Sequence, residues 1–231
     1  MNEFTKKRYT IIHKGIPKTL ANFIYQYFSN KRKVSRLMLD MGYIPRSNKD
    51  WGEWNEAMFP NTYGQYGDLV METLLEKIQP IMEKEAGYKL YPNFSYARIY
   101  KKGDELLRHK DRLSCEISAT MCLGGDPWRL FIDPTGKGKF NSEPLDEDGI
   151  GDFHNYEMGT AKGDSIIQEP GDMLMYHGCE LEHWREPFEG NDHGQVFFHF
   201  NDARKSTANK YDGRPFLGLP QWFRQIGKRN K

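Results

Sequence analysis

Three cysteines in 231 residues are too few for a disulfide framework, and the spacing of Cys115, Cys122 and Cys179 fits no zinc ribbon. A reducing, cytoplasmic setting is the expectation. Nowhere do about 18 apolar residues run together, the length a membrane-spanning helix needs, so no membrane association is expected. The first residues, MNEFTKKRYTIIHKG, contain no apolar stretch of the kind a secretory leader carries, and none is expected. Neither sign of charge is in excess. Lys and Arg number 33 against 32 Asp and Glu, a net charge of +1, which argues against a surface built for nucleic acid or an anionic membrane. Internal repeats and low-complexity tracts are also missing. What is present is aromatic: 14 Phe, 13 Tyr and 5 Trp are ample for a core and exclude wholesale disorder. The length suits one large domain over residues 1–231.

Residues 8–13, YTIIHK, read as a strand that Gly15 to Pro17 end. Leu20, Phe23, Ile24 and Phe28 then recur at helical spacing, and from Asp68 to Glu85 the period returns with Leu74, Leu75, Ile78, Ile81 and Met82 on one side. Between them, residues 45–66 read as a polar loop carrying Trp51, Trp54, Phe59, Tyr63 and Tyr66. After Gly87 come short β-prone runs at 94–100, 113–123, 128–132, 164–168, 173–177 and 195–200, separated by turn signals. Helices first and strands later predict an α+β arrangement with helices packed on one side of a β core. That divides the chain into mainly helical support (1–90), the β core (91–204) and a C-terminal tail (205–231). The segment 134–163 is too long for an ordinary connection and is expected to be functional or mobile.

Of seven histidines, His13 and His154 need no special role. His109 differs because the run 108–112 reads Arg-His-Lys-Asp-Arg. In an extended chain positions two apart share a face, so His109 and Asp111 converge while Lys110 points away. An imidazole and a carboxylate so placed are two parts of the facial triad that binds non-haem Fe(II). The third part needs a distal histidine, and His177 and His183 are the candidates. His183 opens the extended stretch HWREP, where alternation puts Arg185 on its face and Trp184 on the other. Arg185 either grips an anion in the same cavity with its planar fork, or pairs with Glu186 or Glu189 at the surface.

The stretches YARIYKKGDELLRHKD and SATMCLGG, a PGD turn, and H-x-x-x-P-x-x-G from His183 through Pro187 to Gly190 together resemble the 2-oxoglutarate- and Fe(II)-dependent dioxygenases, especially their prolyl 4-hydroxylase-like branch. The resemblance runs from about residue 94 to 204. It implies a double-stranded β-helix (jelly-roll) core with the N-terminal helices on one face. By the same resemblance His109, Asp111 and His183 hold the iron, and Tyr100, nine residues before His109, binds the cosubstrate. One departure stands out. The family carries Lys or Arg about ten residues after the distal histidine, where this chain has Asp192, His193, Gly194 and Gln195. Arg185, His193 or Arg129 must then take the far carboxylate of 2-oxoglutarate.

The implied chemistry uses Fe(II), 2-oxoglutarate and O2, with ascorbate as a supporting reductant, and hydroxylates an unactivated C–H bond. A peptidyl proline, hydroxylated at C4, is the first expectation, and a free amino acid or small metabolite the alternative. Trp51, Trp54 and Tyr63 either line a peptide groove or pack on the core, and loops 45–66 and 134–163 are candidate lids. Two other classes compete: a cupin-type binding module whose metal is structural or absent, and a zinc hydrolase using the same three ligands.

Overall fold

The computed structural model describes residues 3–112, 114–140 and 156–224. In chain order its elements are α1 (Glu3–Lys7), β1 (Tyr9–Ile12), α2 (Lys18–Asp40), β2 (Glu53–Glu56), β3 (Phe59–Tyr66) and α3 (Leu69–Ala86). Then follow β4 (Leu90–Lys101), β5 (Leu106–His109), β6 (Ile117–Gly125), β7 (Leu130–Ile132) and β8 (Lys139–Phe140). The last are β9 (Tyr156–Glu157), β10 (Asp164–Ile166), β11 (Met173–His177), β12 (His183–Arg185) and β13 (Asp192–Asp202).

The two long helices form for local reasons. Asp68 caps α3 by accepting from the backbone N–H groups of Val70 and Met71, and Gly87, at φ +83°, ends it in the left-handed region that glycine enters freely. The Asp68 carboxylate also accepts from Tyr27 (2.9 Å) and Lys31 (2.5 Å), which ties the start of α3 to α2. Helix α2 runs well beyond the apolar stripe that announced it, to Asp40.

Two antiparallel sheets make the β core. The larger has the order β1-β11-β6-β13-β4-β3-β2 and the smaller β10-β7-β12-β5. Alternation splits the large sheet into two faces. Ala97 and Ile99 of β4, Ala119 and Met121 of β6, and Val196, Phe198 and Phe200 of β13 pack with Ile24 and Phe28 of α2 and Leu74, Leu75, Ile78 and Met82 of α3. The intervening residues face the small sheet. There Leu174 and Tyr176 meet Leu130, Ile132 and Ile166, while Tyr100 meets Leu106, Trp128 and Phe188. This is a jelly-roll with helices on one face. The space between the sheets, bounded by those two clusters, is where chemistry can be housed.

The segment 45–66 is not a loop: it contains the hairpin β2–β3, which extends the large sheet beyond β4. Its pairing shifts between Glu53 and Asn55, and Asn61 has φ +58°. That irregularity reverses the alternation, so Phe59 faces the space between the sheets while Tyr63 lies in the helix-side core. Periodicity alone could not show this. Trp54 packs on Tyr63 and donates to Ser35 of α2. Of the proposed groove aromatics, Tyr63 and Trp54 therefore belong to the core, and Trp51 lies beside Lys31.

Of the segment 134–163, residues 141–155, with His154, lie outside the described residues, and its ends are joined by the short β8–β9 pair. The tail beyond 204 docks on the core. Arg214 pairs with Glu72 of α3, both side chains fully buried, and Leu217 enters the helix-side cluster.

Candidate active site

Strand β12 lies between β5 and β7, and its first residue, His183, is the direct cross-strand partner of His109, the last residue of β5. The two rings lie 4.3 Å apart between centroids. Asp111 sits just past β5, its N–H held by the Gly178 carbonyl at 2.9 Å. Its Oδ1 lies 3.7 Å from Nε2 of His109 and 3.4 Å from Nε2 of His183. The structure thus brings together the three residues that the sequence singled out, while His177 is elsewhere, stacked on Phe4 and beside Glu180.

The tautomers follow from the other ring nitrogens. Nδ1 of His109 donates to the Leu107 carbonyl (2.7 Å), and Nδ1 of His183 to the Leu181 carbonyl (3.2 Å). With Nδ1 so engaged, each ring is left to turn Nε2 toward Asp111 Oδ1. Burial, and then the neighbouring His183, push the His109 imidazole down to about 4, so it is neutral near pH 7. Burial alone would raise the Asp111 carboxyl, but His183, His199 and His109 hold it well below the usual carboxylate range. Two imidazole Nε2 atoms and one carboxylate oxygen thus converge, a donor set that suits a cation. The Tyr176 hydroxyl lies 3.4 Å from Nε2 of His183 on the inner side.

A cavity of about 430 Å³ opens beside these residues. Its walls include His109, Asp111, His183 and His199, the aromatics Tyr66, Phe94, Tyr96 and Phe197, and Arg98 and Tyr100 of β4. Tyr100 is fully buried and its hydroxyl has no partner among the described residues. Burial raises its phenol, and the nearby charges of Arg98 and Arg185 oppose that.

Arg185 follows His183 inward, as strand parity predicts, and is 1% exposed. Its Nη1 donates to the Trp128 carbonyl (2.5 Å) and its guanidinium lies 4.8 Å from the Trp128 ring, while Nε has no partner among the described residues. Neither Glu186 nor Glu189 pairs with it; burial pushes this guanidinium down to about 10. Among the described residues Arg185 has no carboxylate partner and the Tyr100 hydroxyl no well-formed hydrogen bond, with Arg98 beside it; both are costly when buried, and an anion between them would relieve both.

The other two anchor candidates are otherwise engaged. Arg129 is exposed and donates to Ser165, because it precedes β7 on the outward side. His193 is buried, but its Nδ1 is spent on the Asp126 carbonyl (2.9 Å) and its Nε2 on the Gln195 amide (2.7 Å). Arg98, which the sequence reading passed over, lines the cavity. It stacks on Phe59 at 3.9 Å, pairs with Glu56, and its Nε has no partner among the described residues. Its parity with Tyr100, two residues on, was the available signal.

No family model matches the sequence, and no curated protein does. Solved structures do share its fold. One is a prolyl-4-hydroxylase from Pseudomonas putida, at TM-score 0.51 and 13% identity, covering 87% of this chain and 95% of that one. A non-heme alpha-ketoglutarate-dependent carbocyclase from nogalamycin biosynthesis, SnoK, aligns at TM-score 0.59 and 14% identity over 94% of this chain and 90% of its own. HygX from Streptomyces hygroscopicus, solved with nickel and 2-oxoglutarate bound, aligns at TM-score 0.53 and 13% identity over 87% and 85%. The chain has the jelly-roll fold seen in 2-oxoglutarate- and Fe(II)-dependent oxygenases.

Proposed function

We propose that this chain is a 2-oxoglutarate- and Fe(II)-dependent oxygenase that hydroxylates an unactivated C–H bond. The observation that carries the reading is the convergence of Nε2 of His109, Nε2 of His183 and Oδ1 of Asp111 on the wall of one cavity. Two nitrogen donors and one carboxylate suit Fe(II) and leave the remaining positions to other ligands. The orphaned Tyr100 hydroxyl and Arg185 Nε support an anionic cosubstrate held between them. Bound there, Fe(II) and 2-oxoglutarate supply the oxidising chemistry, with succinate and carbon dioxide as by-products. The protein's part is orientation: Arg185 takes the far carboxylate, Tyr100 donates to it, and the aromatic walls exclude water. Ascorbate enters this reading as a reductant that prolongs turnover.

For the substrate, a prolyl residue in a peptide is the first reading. The likeness to a prolyl-4-hydroxylase and the apolar walls formed by Phe94, Tyr96 and Phe197 support it. A free amino acid or small metabolite is the second, supported by the likeness to a carbocyclase at TM-score 0.59.

Anaerobic addition of Fe(II) and 2-oxoglutarate should give a weak visible charge-transfer band that His183→Ala abolishes. With oxygen, slow release of succinate should follow even without substrate. Iron binding with neither the band nor succinate would favour a cupin-type module. Hydrolysis supported by zinc would favour the third class. Offering a proline-rich peptide and free proline side by side, and weighing the products for one added oxygen atom, separates the two substrate readings.

A further inference from the structure

Asp111 offers only one of its oxygens to the two imidazoles. The other, Oδ2, accepts a hydrogen bond from Ser118 Oγ at 2.9 Å, and Ser118 Oγ in turn lies 3.0 Å from Nδ1 of His199. Ser118 on β6 and His199 on β13 are direct cross-strand partners, so the sheet ladder sets their separation. An ionised carboxylate can only accept, which obliges the serine to donate its one proton there. The Cys115 carbonyl is a second acceptor at 3.2 Å, but it is farther away and uncharged. With its proton committed, Ser118 Oγ can only accept from His199, and Nδ1–H of His199 must donate.

A second observation shows that this arrangement is built in. Gly178 passes so close that a β-carbon there would come within 3.0 Å of Asp111 Oδ2, Ser118 Oγ and the Cys115 carbonyl. Its own carbonyl holds the Asp111 N–H. The carboxylate is thus held at its backbone by Gly178 and at Oδ2 by Ser118.

We propose that Ser118 and His199 are positioning residues that commit Asp111 Oδ2 to the protein, so that only Oδ1 ligates the ion that His109 and His183 share. This rests on the oxygenase reading and deepens it, because single-oxygen ligation keeps open the coordination positions that a chelating cosubstrate and oxygen need. Partners that orient a ligand in this way are worth roughly ten- to a hundredfold in metal affinity.

The test is anaerobic titration of the full chain with Co(II), following affinity and the visible ligand-field spectrum. Ser118→Ala and His199→Leu should weaken binding by roughly ten- to a hundredfold and change the spectrum, as the freed Oδ2 swings onto the ion. His199→Asn should restore both, because its amide N–H stands where the Nδ1–H stood. Wild-type affinity and spectrum in Ser118→Ala would overturn the proposal. That substitution removes a single oxygen atom, so it serves even if His199→Leu does not fold. A thiolate-to-metal band lost in Cys115→Ser would overturn it differently, by placing the ion among Asp111, Cys115 and His199, whose donor atoms lie within 4.8 Å of one another. Failure of the wild-type chain to bind Co(II) would take the oxygenase reading down with it.

Discussion

The two faces of the seven-stranded sheet are both largely buried and differ in chemistry. On β13, Val196, Phe198 and Phe200 face the helices, while the alternate residues Gln195, Phe197 and His199 face the small sheet. On β4, Ala97 and Ile99 alternate with Arg98 and Tyr100, and on β6, Ala119 and Met121 alternate with Ser118 and Thr120. Against α2 and α3 the sheet presents mostly apolar side chains. The inner face buries Arg98 Nε and Tyr100 Oη without a well-formed hydrogen bond among the described residues. Burial therefore does not separate core from candidate site here; what separates them is which side chains are buried. Apolar packing is concentrated on one face, and buried charges and hydroxyls gather on the other.

Substitutions should divide along the same line. The largest effect is expected on the helix face. Phe198→Ala should cost about 3–5 kcal/mol in denaturant unfolding, because it opens a cavity among residues that cannot collapse into it. A loss below about 1 kcal/mol would mean that this face is not the stabilising one.

Acid should act on the inner face next. His199 is pushed down to about 4 by burial. Above about pH 6.5 neither folded nor unfolded rings bind the extra proton. Between about 6.5 and 4 the unfolded chain takes up protons that the folded chain refuses, so stability falls as pH falls, by up to about 3 kcal/mol per ring. His199→Asn should flatten that slope in unfolding curves of the metal-free protein, and Phe198→Ala should lower the whole curve without changing it. Equal slopes in the wild type and His199→Asn would contradict neutral burial.

Arg185→Met should dissociate stability from binding. Removing a buried charge that lacks a carboxylate partner should leave the unliganded protein as stable as before or slightly more so. Affinity for 2-oxoglutarate should drop by about 1.5–3 kcal/mol, ten- to a hundredfold, as read by titration of the charge-transfer band. Were Arg98→Met to lose that affinity instead, the anchor would be on β4.

The smallest effect belongs to Tyr100→Phe. Its hydroxyl has no well-formed hydrogen bond among the described residues, Arg98 lying beside it, so thermal stability should hardly move, while cosubstrate affinity weakens by about 1 kcal/mol. A drop in melting temperature at unchanged affinity would make the tyrosine structural.

Much of the site was legible because strands alternate. His109 and Asp111 two residues apart, and His183 and Arg185 two apart, needed only the extended conformation to share a face. The same rule would have delivered Arg98 from Tyr100. It fails at the β2–β3 hairpin, where Asn61 at φ +58° and a register shift put Phe59 and Tyr63 on opposite sides. The length of α2 escaped for another reason: past Phe28 its exposed side carries Val34 and Leu37, which blur the apolar stripe.

The residues alone determined the α+β order, the alternation of each strand and the pairing of chemistries within a few positions, because those follow from φ, ψ and side-chain direction, which are local. Register between distant strands is not local. It comes from packing whole faces together, and only it could set Ser118 opposite His199, 81 positions away, and His109 opposite His183. The same packing decided that, among the described residues, Arg185 has no carboxylate partner while Arg108, equally cationic, meets both Asp133 and Glu182. Which charge is satisfied depends on what the fold brings beside it.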